Sequence, residues 1–263
     1  MRIFLLPPSF TGEDRVEITG KEYHYLINVL RLKEGMQLTG RDGQGVYYTL
    51  TVSSVGTSKV LLETEVQLEG ARETIDLFSS FRGPFPAVHL YQCVGKGKKL
   101  EQIIRQCTEL GLSSITPVMS RYTLSDVTKN WNVKSQRYRK VAEQAIQQSA
   151  SPVMTKIEEP VRIQDIASRV DDLSRLLVFH QSLENSPATI FSLTRDLIEE
   201  APHSPISLLV GPEGGFSDEE VSALLDSGAK GILLQTNILR TETAAVTASA
   251  IIMQFAIDTL SHT

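Results

Sequence analysis

Short runs of alternating apolar and polar residues fill the chain up to about residue 70. The runs VEITG, MQLTGRDG, VYYTLTVSSV and KVLLETEVQL are rich in Val, Leu, Thr and Tyr, and glycines separate them. Such runs predict β-strands, and Asp42-Gly43 predicts a hairpin. Residues 21–32 instead carry apolar side chains at helical spacing. We therefore expect a small β-barrel with one short helix over residues 1–72.

Beyond residue 80 the pattern changes to alternating strands and helices. Continuous apolar runs at 175–180, 206–210 and 231–235 predict buried parallel strands. Residues 87–94 and SSITPVMS predict two further strands. Helical spacing predicts helices over 98–110 and 136–148. Alternating strands and helices predict an α/β domain on a mostly parallel sheet, over residues 73–263.

One apolar segment, AAVTASAIIMQFAIDTL at 244–260, approaches the length of a membrane span. It carries Thr247, Ser249, Gln254 and Asp258 and has no basic flank. We expect a helix that is buried on most sides, within a domain or at a subunit interface, and no membrane partner. The first residues are apolar only up to Pro7-Pro8, which does not predict a signal peptide.

The composition is that of a soluble globular protein. Of the 263 residues 41% are hydrophobic and 22% are charged, which argues against a disordered chain. The two cysteines, Cys93 and Cys107, form neither a disulfide framework nor a metal-ligand spacing. We therefore expect a cytoplasmic protein without a metal.

The net charge of −5 hides an asymmetry along the chain. Residues 82–140 hold eleven Lys and Arg against three acidic residues, a formal charge of +8. Residues 157–226 hold fourteen acidic residues against four Arg, a formal charge of −10. Opposite blocks indicate either a surface for a polyanion and an acidic remainder, or solvated faces that happen to differ in sign.

The first candidate motif is LLVGPEGGFSDEE at 208–220. A buried strand ends in Gly-Pro-Glu-Gly-Gly, and Ser217 with Glu220 predicts a capping box at the start of a helix. This arrangement places a ligand at the carboxyl end of a parallel strand, although a tight turn is the alternative. It is neither GxGxxG nor a P-loop, and Glu213 would repel a phosphate. We expect a ligand with cationic or hydroxyl groups.

The second candidate motif is LQTNILRTETAA at 234–245, which again follows a strand and enters a helix. Thr241 is predicted to cap that helix, and Glu242 is favourable in its first turn. Arg240 opposes the helix dipole, so charge alone does not explain its position. It is either a surface Arg on a loop or a cation directed into the cleft between the two loops.

Together the motifs Gly-Pro-Glu-Gly-Gly-Phe-Ser-x-x-Glu and Ile-Leu-Arg-Thr-Glu-Thr-Ala resemble those of the bacterial 16S ribosomal RNA uracil-N3 methyltransferases. These enzymes belong to the SPOUT superfamily of trefoil-knotted, S-adenosylmethionine-dependent methyltransferases. The resemblance continues through His24, Val-Leu-Arg at 29–31, Lys96 with Glu101, Glu-Leu-Gly at 109–111, and a helix with Arg137 that ends in Gln-Ser at 148–149. Two positions depart from the pattern: Gln235 replaces a usual Gly, and Ser151 replaces a usual Arg.

The resemblance implies an α/β fold, in which a trefoil-knotted methyltransferase domain follows an N-terminal PUA-like β-barrel that binds RNA. It implies methylation of N3 of a specific uridine in 16S ribosomal RNA, within the small ribosomal subunit, by an obligate homodimer. Three loops would hold the cofactor S-adenosylmethionine. Their expected cofactor-binding residues are Phe179, His180, Gly211, Pro212, Glu213, Gly214, Gly215, Leu234, Gln235, Ile238, Leu239 and Thr241.

The chemistry suggests roles for the catalytic residues. Uracil N3 carries a proton, so the reaction needs a base, or donors that stabilise the anion forming on the ring. Arg240 is the candidate anion stabiliser, and Glu213 and Glu242 are candidate bases or partners of the cofactor's cationic end. The candidate RNA contacts are Arg2, His24, Arg31, Lys96, Lys98, Arg121 and Arg137.

Alternative functions remain at this stage. The same fold could serve a non-catalytic RNA-binding or ribosome-assembly protein, or a SPOUT methyltransferase with another RNA target. A dinucleotide-binding oxidoreductase would be expected to carry GxGxxG, which the sequence lacks. For His24, a histidine packed beside the helix at 21–32 is an equal alternative to an RNA contact.

Overall fold

A computed structural model describes residues 3–67, 85–95, 97–123, 126–180, 189–234 and 237–261. The chain divides into two compact units. The first comprises Met1–Ser80 and Gln147–Pro152, and the second comprises Phe81–Ile146 and Val153–Thr263. The domain boundary predicted at residue 72 lies outside the described residues.

The first unit contains a five-stranded mixed sheet. Its strands are β1 (Ile3–Leu5), β2 (Arg15–Thr19), β3 (Gln37–Arg41), β4 (Tyr47–Val55) and β5 (Lys59–Val66), in the order β1-β3-β4-β5-β2. Strands β1 and β3 pair in parallel, and the other pairs are antiparallel. The hairpin predicted at Asp42 is confirmed, because its carboxylate accepts hydrogen bonds from the backbone N–H groups of Gln44 and Val46.

The short helix predicted in this unit is also present. Helix α1 (Gly20–His24) continues as a π-helical turn over Tyr25–Val29. The predicted extent to residue 32 is wrong, because Arg31 adopts a φ of 56° and so ends the helix.

The second unit is built on a seven-stranded sheet in which every pairing is parallel, as expected. The order is β12-β10-β11-β6-β7-β8, and β9 also pairs with β7. The central strands β10 and β11 are buried along their whole length. The strands are β6 (Val88–Cys93), β7 (Ser114–Met119), β8 (Lys156–Ile157), β9 (Val161–Arg162), β10 (Leu176–Phe179), β11 (Ile206–Val210) and β12 (Lys230–Ile232).

Helices cover both faces of this sheet. The described helices are α2 (Lys99–Glu109), α3 (Trp131–Ser149), α4 (Ile190–Glu200), α5 (Asp218–Asp226) and α6 (Thr241–Ser261). Apolar residues of α2, α4 and α6 pack on one face, and those of α5 and a 3₁₀ turn at Ile163–Ser168 pack on the other. The prediction missed α4, β8 and β9, and it started α3 five residues too late.

Helix α6 is the apolar segment identified in the sequence. By length and composition alone Thr241–Leu260 could cross a membrane. Here it packs against α2, α4, β6 and β11. Within this chain one face is buried (Ala245, Ala248, Ile252) and the others are half-buried or exposed, so burial of the remaining sides at a subunit interface stays a prediction.

Candidate active site

A cavity of about 400 Å³ lies at the carboxyl ends of β10, β11 and β12. Ligands of open α/β sheets bind at this edge. The walls come from the end of β10, the Gly-Pro-Glu-Gly-Gly turn after β11, the loop after β12 and the first turn of α6. The lining residues are Phe179, His180, Val210, Gly211, Pro212, Glu213, Gly215, Phe216, Ile232, Leu233, Leu234, Asn237, Ile238, Leu239, Arg240, Thr241 and Ala244.

The cavity brings together all but two of the residues predicted to bind the cofactor. Gln235 lies outside the described residues. Gly214 is not among the lining residues, and a Cβ added there would lie 3.1 Å from Cβ of Tyr122, so its contact with the cofactor stays a prediction. Several apolar lining residues, among them Phe216 and Ala244, were not predicted, although both lie within the two motifs, because the sequence does not show which motif side chains face the cavity.

The glycine turn has a fixed local geometry. Gly215 adopts a φ of 71°, which favours glycine, and its N–H donates to the carbonyl oxygen of Pro212 over 2.9 Å. The predicted capping box is confirmed, because Ser217 and Glu220 exchange side-chain to backbone hydrogen bonds. Helix α5 therefore starts immediately after the turn and holds it against β11.

Thr241 does not act as the predicted helix cap. Its hydroxyl donates to the carbonyl oxygen of Gly211 over 2.6 Å and accepts from Nε2 of Gln92 over 2.9 Å. Because both interactions use the hydroxyl, the buried side chain joins the start of α6 to β11 and β6 instead.

Lys99 was missed by the sequence analysis and pairs with both predicted catalytic carboxylates. Its Nζ lies 2.8 Å from Oε1 of Glu213 and 3.2 Å from Oε2 of Glu242. All three side chains are at most one-third exposed. The hydrogen bond to Glu213 is the main cause that raises the pKa of Lys99; burial opposes it, and Glu242 acts in the same direction as Glu213. The ammonium group therefore stays charged.

Arg240 and Ile238 stand at the mouth of the cavity. Arg240 is exposed, and its guanidinium forms no hydrogen bond or ion pair with any residue that the structure describes. Ile238 is 85% exposed, which is unusual for a large apolar side chain. Glu242 does not line the cavity and faces Lys99 instead.

The predicted RNA contacts are distributed over both units. In the first unit His24 and Arg31 are exposed, and Nδ1 of His24 lies 3.0 Å from Nδ2 of Asn28. In the second unit Lys98 is exposed, Arg121 forms an ion pair with Glu219, and Arg137 forms one with Glu101. Arg2 and Lys96 lie outside the described residues.

Ser151, which replaces a usual Arg of the family pattern, lies in the first unit. Ser151 is buried, and its carbonyl oxygen accepts a hydrogen bond from Nη1 of Arg41 over 3.1 Å. An RNA contact at this position is therefore not available from the side chain.

Neither cysteine lines the cavity. Both cysteines are buried, and burial raises the pKa of Cys107 to about 12, so its thiol stays protonated. Among the described residues no group of three or more His, Cys, Asp or Glu side chains could hold a metal ion.

Two family models match the chain. An RNA methyltransferase domain matches residues 82–253, and an RNA methyltransferase PUA domain matches residues 18–65. The methyltransferase match covers most of the second unit, and the PUA match lies within the first unit.

Characterised relatives and solved structures agree with these matches. The ribosomal RNA small subunit methyltransferase E of Synechocystis is 30% identical over 94% of this chain and 75% of its own length. The enzyme of the same name from Rickettsia conorii is 30% identical over 90% and 88%. A structure of the Neisseria gonorrhoeae enzyme, bound to S-adenosyl methionine, superposes with a TM-score of 0.79 over 97% of each chain at 21% identity. The fold class predicted from the sequence is thus confirmed.

Proposed function

The chain belongs to the RNA methyltransferase family that its motifs predicted, and we propose that it transfers a methyl group from S-adenosylmethionine to N3 of a uridine in 16S ribosomal RNA. The observation that carries this proposal is the cavity between the two motif loops, with Arg240 at its mouth. The names of the relatives support RNA of the small ribosomal subunit as the substrate. The motif resemblance supports uridine N3 as the acceptor.

The residues of the cavity suit this cofactor. Phe179, Ile232 and Leu234 offer apolar surface for an adenine ring, and the exposed Ile238 can close over it. The turn at Gly215 allows a close approach to backbone. Glu213 offers a carboxylate to the cationic end of the cofactor. When bound, S-adenosylmethionine supplies a methyl group that is already activated by its sulfonium.

Arg240 is suited to stabilise the negative charge that develops on uracil when the N3 proton leaves. A guanidinium offers several donors in one plane, and an exposed Arg at the cavity mouth can reach O2 or O4 of the base, or the phosphate of the target nucleotide. The target edge of a paired uridine is hidden, so the base must be unpaired or flipped out.

Glu213 and Glu242 are better suited to positioning than to proton abstraction. Both carboxylates face the ammonium group of Lys99, which holds them in place, and Glu242 does not line the cavity. We assign Glu213 to the cofactor's cationic end, because it lines the cavity. Glu242, which does not, helps to hold Lys99.

A homodimer is the proposed assembly. Ile251 and Phe255 share a half-buried apolar face of α6, and the ring of Phe255 lies 6.2 Å from that of Phe191, which is 55% exposed. Such surface is typical of a subunit interface. Sedimentation equilibrium should give a dimer mass for the wild type and a monomer for Phe191→Asp, while a dimeric variant would exclude this face.

The RNA would be bound through the basic residues of 82–140 and the N-terminal sheet. We place the enzyme in the cytoplasm, with the ribosomal RNA that it modifies. Phosphate contacts by Lys and Arg position the RNA but do not select the base. Selection of the uridine would therefore come from the cavity mouth.

The experiment that tests the function is methyl transfer to small ribosomal subunits from a strain that lacks the corresponding gene. We expect label from S-adenosylmethionine at one uridine, mapped by mass spectrometry of RNA fragments. Calorimetry should detect S-adenosylhomocysteine and not NAD. Tight RNA binding without transfer would favour an assembly protein, and label on another base would exclude uridine N3.

A further inference from the structure

A second cavity, of about 510 Å³, lies at the amino-terminal edge of the parallel sheet, opposite the candidate active site. Its floor is a row of polar side chains on three adjacent strands: Ser207 of β11, His89 of β6 and Ser114 of β7 are register partners. Tyr91 and Thr116 form the next row on the same face. Central strands of a covered parallel sheet normally carry apolar residues at such positions.

Two hydroxyls of this floor have no partner. Ser207 and Thr116 are each only 6% exposed and line the cavity, and neither hydroxyl forms a hydrogen bond within the described parts of the chain. By contrast Nδ1 of His89 lies 2.7 Å from Oγ of Ser114. Neither of the two free oxygens is among the fully buried side-chain atoms that lack a partner, so both are accessible from the cavity. The free hydroxyls are therefore available to hydrogen-bond an occupant.

The rim of this cavity is acidic. Glu158, Glu159 and Asp171 are exposed lining residues, with Arg169 as the exposed cation among them. The other lining arginine, Arg175, is buried, and backbone carbonyl groups accept hydrogen bonds from its guanidinium.

His89, on the floor of the cavity, adds no positive charge. Burial lowers the pKa of His89, against the opposing effect of Glu158 and Asp171, so the imidazole is neutral at pH 7. A phosphate would be repelled, and no described cluster could hold a metal ion.

We propose that this cavity binds an organic cation that carries a primary ammonium group. The rim carboxylates would pair with the ammonium group, and the hydroxyls of Thr116 and Ser207 would accept its N–H donors. Most of the residues that line this cavity belong to the acidic segment 157–226, and none of them lines the candidate active site. The ammonium group could come from a free polyamine or from a lysine side chain of a partner protein.

The first test removes the hydroxyls without changing the charge. Spermidine is titrated into the full chain at low salt, and binding is followed by calorimetry. We expect one saturable site, and at least tenfold weaker binding by Thr116→Val with Ser207→Ala. Ser222→Ala, which removes an exposed hydroxyl of α5, is the control and should bind like the wild type. Unchanged affinity in a folded double variant would overturn the proposal.

The second test separates a built site from general attraction to an acidic surface. Glu158→Gln with Asp171→Asn should weaken spermidine binding at least tenfold. Asp196→Asn with Glu199→Gln makes the same change of charge at exposed positions of α4, outside the cavity. This control should change the affinity for spermidine less than twofold. An equal loss of spermidine affinity in both double variants would mean that no specific site exists.

A third comparison identifies the source of the ammonium group. Tighter binding of spermidine than of acetyl-Gly-Lys-Gly-amide supports a free polyamine, and the reverse order supports a lysine of a partner protein. Failure of both probes to bind overturns the proposal. S-adenosylhomocysteine binding is measured in parallel: a chain that binds it but neither probe refutes only the second site, and the opposite result refutes only the proposed function.

Discussion

At the scale of single residues, we expect the largest loss of methyl-transfer rate from substitution of Arg240. Arg240→Ala should lower the rate of methyl transfer roughly 100-fold or more, the usual loss for a donor that stabilises developing negative charge. The affinity for S-adenosylhomocysteine should fall much less, because the guanidinium faces the mouth of the cavity. Arg240→Lys should rescue poorly, since an ammonium group has no planar fork. Rates are measured on small ribosomal subunits, and affinity by calorimetry.

Arg195→Ala is the control for this variant, because Arg195 is an exposed residue on α4, outside the cavity. If Arg240→Ala turned over normally, Arg240 would be a surface residue. If its cofactor affinity fell in step with its rate, Arg240 would shape the cofactor pocket, and the proposed role would be wrong.

Lys99 gives a second prediction at this scale. Lys99→Met leaves the carboxylates of Glu213 and Glu242 side by side without their shared cation. We expect about tenfold weaker binding of S-adenosylhomocysteine, because Glu213 is no longer held in place, and partial rescue by Lys99→Arg. A loss near 1.4 kcal/mol corresponds to that factor. Lys98→Met, at the neighbouring exposed position, should bind normally, and equal affinity in both variants would contradict the assignment.

At the scale of elements, Thr241 ties α6 to the sheet. Thr241→Val keeps the shape of the side chain but removes a hydroxyl that serves Gly211 and Gln92. We expect the free energy of unfolding to fall by about 1–3 kcal/mol, the usual result of leaving buried partners unpaired. Urea unfolding measures this. Thr243→Val, at an exposed position of the same helix, should change stability by less than about 0.5 kcal/mol.

Elements whose contacts are local could be predicted from the sequence. The capping box of Ser217 and Glu220 and the hairpin at Asp42 involve partners at most four residues apart, so spacing alone identifies them. The apolar runs of β10 and β11 were likewise sufficient to predict buried parallel strands.

Contacts between distant residues could not be predicted. The pairing of Lys99 with two carboxylates, and the use of the Thr241 hydroxyl by Gln92, depend on how strands are ordered in the sheet. The run of glycines also does not show which glycine lines the cavity. Gly215 lines it, whereas a Cβ added at Gly214 would point towards Tyr122. The polar row of the second cavity was hidden, because His89 and Tyr91 alternate with apolar residues within one strand.

At the scale of the whole molecule, the charge asymmetry predicts how RNA binding depends on salt. Changing Lys96, Lys98 and Arg137 together to Gln should weaken RNA binding and flatten the log–log salt slope. The slope should fall by about 0.7–0.9 for each phosphate that the variant no longer neutralises, because fewer counterions are released. Filter binding at several salt concentrations measures the slope.

The matched control changes Arg162, Arg195 and Lys230 to Gln, an equal loss of charge at exposed residues outside the basic segment 82–140. Its slope should equal that of the wild type. An unchanged slope in the basic-segment variant would mean that residues 82–140 present only a solvated face.

The hydrogen bond between Gln92 and Thr241 also limits when this part of the structure can form during protein synthesis. The two residues are 149 positions apart, and a ribosome that adds about 5–20 residues per second needs about 7–30 s to pass from one to the other. The N-terminal sheet is complete at Val66 and has this interval in which to fold. The cavity between the two motif loops therefore cannot be complete before the ribosome has translated beyond Thr241.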